Sequence, residues 1–515
     1  MKDKPKDPAE SLYSTWTSIK VLICFLLLIS FSYISYSLKL LHPYICTQQS
    51  QFPHLQSHTF IPQPNTIPPS EEPKTNISHI VFGIAASANL WPHRNNYIKL
   101  WWRPDQMRGH VWLDQPVKTE SDDTLLPPFK ISGDTTGFKY TNPKRRRSAI
   151  RISRIVSESF RLGIENVRWF VLGDDDTVFV AENLVRVLQK YDHNQFYYIG
   201  GTSESHLQNI KFSYNMAYGG GGIAISYPLA KTLEKMQDRC IQRYPDLYGS
   251  DDRLQACMAE IGVPLTREKG FHQLGALLGT LFNFLKSIIL LFDCGINQFD
   301  VFGSLFGLLA AHPVAPLVSL HHLDVVEPIF PNMDRIHALQ RLELSIKLDS
   351  AGLVQQSICY DINRSWTVSV SWGYAVQIFR GISSAREIEL PPRTFLNWYK
   401  KAVLTSYPFN TAPVSRHACQ EPFVYYLSNA IYNRSTNQTT TEYVRHQTRM
   451  PECNWKLTNP SLIHKVLVLK STDPHLWDKS PRRNCCRVSR PNRKKKGTMV
   501  IEVGECHEDE VVEVS

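Results

Sequence analysis

The sequence predicts an α/β domain with a mixed central sheet, preceded by one N-terminal transmembrane helix. Three observations carry that expectation. Apolar runs of strand length, 78–86 and 167–172, alternate with helix-capable segments, as in β-α-β units. The second run leads directly into three acids, Asp174, Asp175 and Asp176. Residues 21–38 (VLICFLLLISFSYISYSL) form an uncharged stretch of membrane-spanning length.

Lys20 and Lys39 bound that stretch, which extends through Leu41. Lys2, Lys4, Lys6 and Lys20 precede it, and the next cation after Lys39 is Lys74. The positive-inside bias therefore makes residues 1–20 a cytosolic tail, 21–41 a signal anchor, and the remainder lumenal. A cleaved signal peptide is the competing reading, and the lack of a small-residue cleavage site stands against it. Residues 42–77, rich in Pro, Gln, Ser and Thr, read as an extended stem. A lumenal body also agrees with sequons at Asn76, Asn363, Asn433 and Asn437 and with ten of the eleven cysteines lying outside the span. The cysteines show no CxxC pair or zinc spacing. Disulfides are expected among some of Cys240, Cys257, Cys359, Cys419, Cys453, Cys485, Cys486 and Cys506, with the pairing open.

The domain begins with strand 78–86, then a polar segment containing Trp101 and Trp102, then strand 109–113. Residues 147–162 place Ile150, Ile155 and Phe160 at helical spacing, turn at Gly163 and enter strand 167–172. Ligands in open α/β sheets bind at the carboxyl ends of strands, where the acidic triplet falls. Adjacent carboxylates repel, and a divalent cation such as Mn²⁺ or Mg²⁺ relieves that repulsion while leaving positions for diphosphate oxygens. A solvated acidic turn is the plainer alternative. In 218–226 a glycine run that includes Gly220 and Gly221 enters an apolar segment, as where backbone approaches a ligand closely. Asp251 and Asp252 open an amphipathic helix, either as charges suited to a helix start or as a general base. His321 and His322 follow another apolar stretch and offer imidazoles to a metal.

Apolar residues at 43% and charged residues at 20% supply a sizeable core. The net charge of +10 concentrates around 144–154 and 482–496, as solvated faces or as contacts to anionic membranes and acidic glycans. No finger, basic zipper or aromatic RNA-binding signature accompanies it, so nucleic acid is not an expected partner.

The strings VRWFVLGDDDTVFV, YNMAYGGGGIAIS, DLYGSDDRLQACMAEIGV and AAHPVAPLVSLHHLD, ordered across 79–335, resemble the Fringe-related, plant-type branch of glycosyltransferase family 31. The resemblance implies a GT-A-like nucleotide-sugar-binding fold over 78–335, a UDP-sugar donor, and Mn²⁺ dependence. It further implies inverting transfer, commonly β1,3, to a glycan or glycoprotein acceptor, at the Golgi membrane. By position, Asp174 and Asp175 match the nucleotide-sugar acids, Asp176 the direct metal ligand with Asp174 beside it, and Asp252 the base with Asp251 as alternate. His322, preceding Leu323 and Asp324, matches the family's metal histidine, with His321 second. Residues 336–480 resemble a C-terminal segment expected to pack on or near the catalytic domain, and 481–515 read as a basic, then acidic, disordered tail. One departure is the segment 274–298, which interrupts a junction that is direct in the family. It is expected as a disordered or membrane-prone insertion, since Asn283 and Lys286 are costly in lipid and a crossing there would separate His322 from Asp176. Two other classes remain. The string 174–178 fits an aspartate-nucleophile phosphatase, and a non-catalytic lumenal glycan-binding protein would keep the same fold.

Overall fold

The computed structural model describes residues 26–33, 73–117, 124–143, 147–273, 302–396, 403–446, 453–454, 456–489, 497–507 and 510. Residues 26–33 are helical and exposed, in a separate unit that ends at Glu72. The rest of the expected span 21–41, most of the stem and the whole segment 274–298 lie outside the described residues. No helix among the described residues is long and apolar enough to cross a membrane.

The second unit, Pro73–Ser515, opens with β1 (Ile80–Ala85), α1 (Trp91–Trp101), β2 (Arg108–Leu113) and β3 (Phe129–Ile131). There follow α2 (Ser148–Ser153), α3 (Ile155–Arg161), β4 (Trp169–Asp174), β5 (Val178–Phe179), α4 (Ala181–Leu188), β6 (Tyr198–Gly200) and β7 (Ile223–Ser226). Then come α5 (Tyr227–Arg243), α6 (Ser250–Glu260), β8 (Leu265–Arg267) and β9 (Phe271–His272). Seven strands make a mixed sheet in the order β3-β2-β1-β4-β7-β6-β8. β1 runs parallel to both β2 and β4, whereas β7 runs antiparallel to β4 and β6. Every residue of β1 is buried, which explains why it reads as a continuous apolar run. Its alternate side chains feed two cores. Ile80, Phe82 and Ile84 join Trp101, Trp169 and Phe179 on one face, and Val81 joins Ile155, Phe170 and Leu229 on the other.

The single helix expected over 147–162 is divided at Arg154, where φ is −86° and ψ −9°. The Ser153 hydroxyl bonds back to Ile150 O at 2.9 Å, a contact that bends helices, and the Arg154 guanidinium is drawn to Asp238 at 2.8 Å.

The chain continues through β10 (Phe302–Gly303), β11 (Ser319–Leu320) and α7 (Arg335–Asp349). Strand β11 lies between β5 and β9, with Leu320 opposite both Val178 and His272. This small sheet sets 321–322 beside the turn that follows β4.

Beyond α7 come β12 (Gln356–Asp361), β13 (Trp366–Ser371), β14 (Ala375–Arg380), β15 (Phe395–Leu396), β16 (Phe423–Asn433) and β17 (Gln438–Arg445). The last three are β18 (Lys465–Ser471), β19 (Cys485–Val488) and β20 (Thr498–Gly504). Eight of these form a sheet in the order β12-β13-β14-β16-β17-β18-β20-β19. A Cys359–Cys486 disulfide links its first strand to its last, so the two edges meet. Val368, Tyr425, Val466 and Ile501 from this sheet share one continuous core with β1 and β4. The tail 481–515, expected as disordered, instead supplies β19 and β20, whose Met499, Ile501 and Val503 alternate into that core. Alternation inside a charged segment is a weak signal, and long-range pairing supplies what composition lacks.

Candidate functional site

Strands β1 and β4 end together, with Ala85 paired to Asp174. β2 lies on one side of β1 and β4 on the other, so a crevice opens at these carboxyl ends. The acidic turn is held by Thr177. Its hydroxyl accepts from Asp174 N at 2.8 Å and donates to Gly220 O at 2.7 Å, while the Trp101 indole donates to Thr177 O at 3.0 Å.

The three acids occupy different environments. The Asp176 side chain is fully buried, Asp175 nearly so, and Asp174 is 31% exposed. His321 Nε2 lies 3.1 Å from Asp176 Oδ1 and 3.4 Å from Asp174 Oδ2, and His322 Nε2 lies 3.9 Å from Asp176 Oδ2. Asp176, His321 and His322 can each turn one ligand atom to a common point, all within 4.8 Å of one another. His322 takes the left-handed conformation, φ 56°, at a cost on the order of 1–2 kcal/mol. That turn stacks the two imidazoles 3.6 Å apart and lets consecutive residues face the same acid.

A cation fits these donors. Both carboxylate oxygens of Asp176 and the Nε2 of His321 are buried and, beyond the Arg94 ion pair, make no hydrogen bond to another described residue, a costly arrangement that further positive charge relieves. Gln273 Oε1 meets His321 Nδ1 at 2.9 Å; this oxygen accepts, so Nδ1 carries a proton and Nε2 is the nitrogen that faces the acids. Burial by itself would lower the His321 pKa, but Asp176 and then Asp174 raise it to about 10. Burial likewise opposes ionisation of Asp176, yet His321, His322 and Arg94 outweigh it and hold that carboxyl well below the usual range. Asp175 is pushed up to about 7 by burial and by the charge of Asp176.

Arg94, on α1, was not among the residues the sequence singled out. Its guanidinium reaches Asp175 at 2.9 Å, Asp176 at 3.1 Å and Asp324 at 2.7 Å, tying three chain segments together. A signal for it exists: Arg94 follows Trp91 by three residues and precedes Ile98 and Trp101 by four and seven, so a charge sits on the buried stripe of the helix. Gln273 lacked any such mark.

The glycine run makes room for protein groups. A Cβ on Gly220 would overlap the His321 ring, and one on Gly219 would come within 2.7 Å of Asp251 Oδ1. Gly220 therefore lies against His321 and Gly221 against the start of Gln273, where the sequence reading expected a close backbone approach to a ligand.

The two acids of α6 separate cleanly. Both oxygens of Asp252, the expected base, accept backbone N–H groups, from Tyr248 and Gly249, each at 2.9 Å. Asp252, at the third position of the helix, thereby reaches back to cap the Gly249 N-cap backbone. Asp251 is the half-buried neighbour that faces Asp174 and Gly219; burial first, then the Asp174 charge, pushes its carboxyl up to about 7. The sequence preferred Asp252 as base with Asp251 as alternate; in the structure the backbone-capping contacts fall to Asp252.

Residues 208–290 and 287–486, together more than half of the chain, match the family model described as "Protein of unknown function, DUF604". A beta-1,3-glucosyltransferase of Mus musculus is 31% identical over 107 residues, covering 21% of this chain and 21% of that protein. The chain thus aligns with about a fifth of that relative's length. Among solved structures, the galactosyltransferase LgtC with donor and acceptor sugar analogs is 14% identical, over 37% of this chain and 73% of that one, with a TM-score of 0.25. Mouse xyloside xylosyltransferase 1 in its apo form is 8% identical, over 35% of this chain and 81% of that one, also with a TM-score of 0.25.

Proposed function

From a chain that belongs to the DUF604 family, described as one of unknown function, we propose an activity read from its own site: metal-dependent transfer of a sugar from a UDP-sugar to a hydroxyl acceptor. In this reading the seven-stranded unit is a GT-A-like catalytic domain of Fringe-related, family 31 kinship, and the transfer inverts the anomeric centre, giving a β1,3 linkage to a glycan or glycoprotein.

The observation that carries the proposal is the convergence of the buried ligand atoms of Asp176 and His321, with His322 beside them, at the carboxyl edge of β4. Asp176, His321 and His322 would hold Mn²⁺ or Mg²⁺, which when bound supplies positive charge for the oxygens of a departing diphosphate. Gln273 orients His321 through Nδ1. Arg94 neutralises Asp175 and Asp324, keeping them beside the ligand set. Asp174, the most open of the three acids, faces the donor sugar. Asp251 takes the proton from the acceptor hydroxyl, and a carboxyl raised to about 7 is poised for that work near neutral pH. The named mouse relative supports the linkage class over the aligned stretch.

For location, we extend the proposal to a Golgi type II protein anchored through 21–41. Support comes from the eight cysteines singled out by sequence, which pair as Cys240–Cys257, Cys359–Cys486, Cys419–Cys453 and Cys485–Cys506. Such pairing persists in oxidising compartments.

The test is a panel of UDP-sugars offered to the full-length protein with Mn²⁺ and sugar acceptors. The proposal expects one donor to be consumed with product formed, and an Asp176→Asn protein to be inactive yet folded. Equal turnover by that variant would contradict it.

A further inference from the structure

We propose that Asn433, at the tip of the β16–β17 hairpin, carries an N-linked oligosaccharide. The inference rests on the lumenal reading above.

Residues 431–437 are all exposed. Asn433 Oδ1 accepts from Ser435 N at 3.0 Å and from Ser435 Oγ at 2.7 Å, closing the sequon on itself. Asn76 repeats the arrangement, accepting from Ser78 N at 2.9 Å and Ser78 Oγ at 2.6 Å. Both closures span two residues, so they form without any distant strand in place. Asn437 differs. Its Oδ1 accepts from Tyr432 OH at 2.7 Å and from Thr472 Oγ1 at 3.2 Å, and its sequon hydroxyl, on fully buried Thr439, donates to Lys470 O at 2.8 Å. Asn363 lies in the one-turn 3-10 helix Ile362–Arg364 instead.

The tip also needs cover. Ile431 is 59% exposed and shares the strand face of Asn433, two residues on. A glycan at Asn433 would lie over that apolar side chain and hinder other chains from joining the hairpin.

In the step itself, Asn433 Nδ2 bonds to the anomeric carbon of a lipid-diphosphate oligosaccharide, delivered by a host oligosaccharide transferase. The bond from that carbon to phosphate oxygen breaks, the lipid diphosphate departs, and an amide proton passes to a carboxylate of the host enzyme.

The experiment expresses the full-length chain in a secretory eukaryotic cell and removes glycans with peptide N-glycosidase in heavy-oxygen water, which converts each occupied asparagine to labelled aspartate. Mass spectrometry should find label at Asn433 and Asn76 and none at Asn437. Asn433→Gln and Ser435→Ala should each lose one glycan on a gel. An unlabelled Asn433 in a chain labelled at Asn76, or label at Asn437 in its place, overturns the assignment and leaves the lumenal reading standing. A chain unlabelled at every sequon sinks both together.

Discussion

His321 Nε2 and Asp176 Oδ1 face each other at 3.1 Å inside the protein, and neither atom has another hydrogen-bond partner among the described residues. A lone pair against a carboxylate is repulsive, so a proton or a metal must stand between them. Without metal, a proton does, and the His321 pKa rises to about 10. Metal must displace that proton. Mn²⁺ affinity is therefore expected to tighten about tenfold per pH unit between pH 6.5 and 8.5, with one proton released per ion, as read by calorimetry in buffers of different ionisation heat. The sign for the metal-free fold is opposite. A histidine whose folded pKa exceeds its unfolded value near 6.5 stabilises fully below 6.5 and ceases to as pH climbs toward 10. Melting in chelator should fall across that window, and less so in His321→Gln.

Gln273→Leu removes the acceptor that fixes the His321 tautomer while keeping a similar volume. The expected result is a roughly 10–100-fold loss of Mn²⁺ affinity with the far-ultraviolet spectrum unchanged. Undiminished affinity would mean that the ring orients itself.

Asp251 and Asp252 are adjacent yet should fail in different ways. Asp251→Asn removes a carboxyl that burial already disfavours, so melting should hold or rise while turnover is lost. Asp252→Ala strips two backbone N–H groups of their acceptor and should cost about 1 kcal/mol of stability, with Mn²⁺ binding retained. The reversed pattern would restore Asp252 as the base.

The Cys359–Cys486 bridge joins positions 127 apart in sequence, on the edge strands of the eight-stranded sheet. Replacing both cysteines by serine should lower stability by about 2–5 kcal/mol, seen in denaturant melts. Mn²⁺ binding should persist, because the ligands follow β4 and β11, outside the eight-stranded sheet.

What the sequence disclosed, it disclosed locally. The apolar run before Asp174, the glycines before Ile223 and the paired acids before Arg253 are contiguous patterns, and each landed at the crevice. Asp252 stands three residues after Gly249, the spacing at which an acid in the first turn reaches back to the N-cap backbone, and that helix phase sets it apart from Asp251. Tertiary pairing was out of reach. Cys485 and Cys486 are neighbours, but successive strand residues point to opposite faces, so one joins Cys506 and the other Cys359. Arg94 meets Asp324 across 230 positions, and no local pattern announces such a partner.

The central claim is that Asp176, with its two imidazoles, holds a divalent cation that a nucleoside diphosphate then shares. Calorimetric titration of UDP into the full-length protein, with and without Mn²⁺, tests it most directly. The account predicts binding that requires Mn²⁺ and disappears in Asp176→Asn. UDP binding of equal strength in chelator, or in that variant, would contradict it.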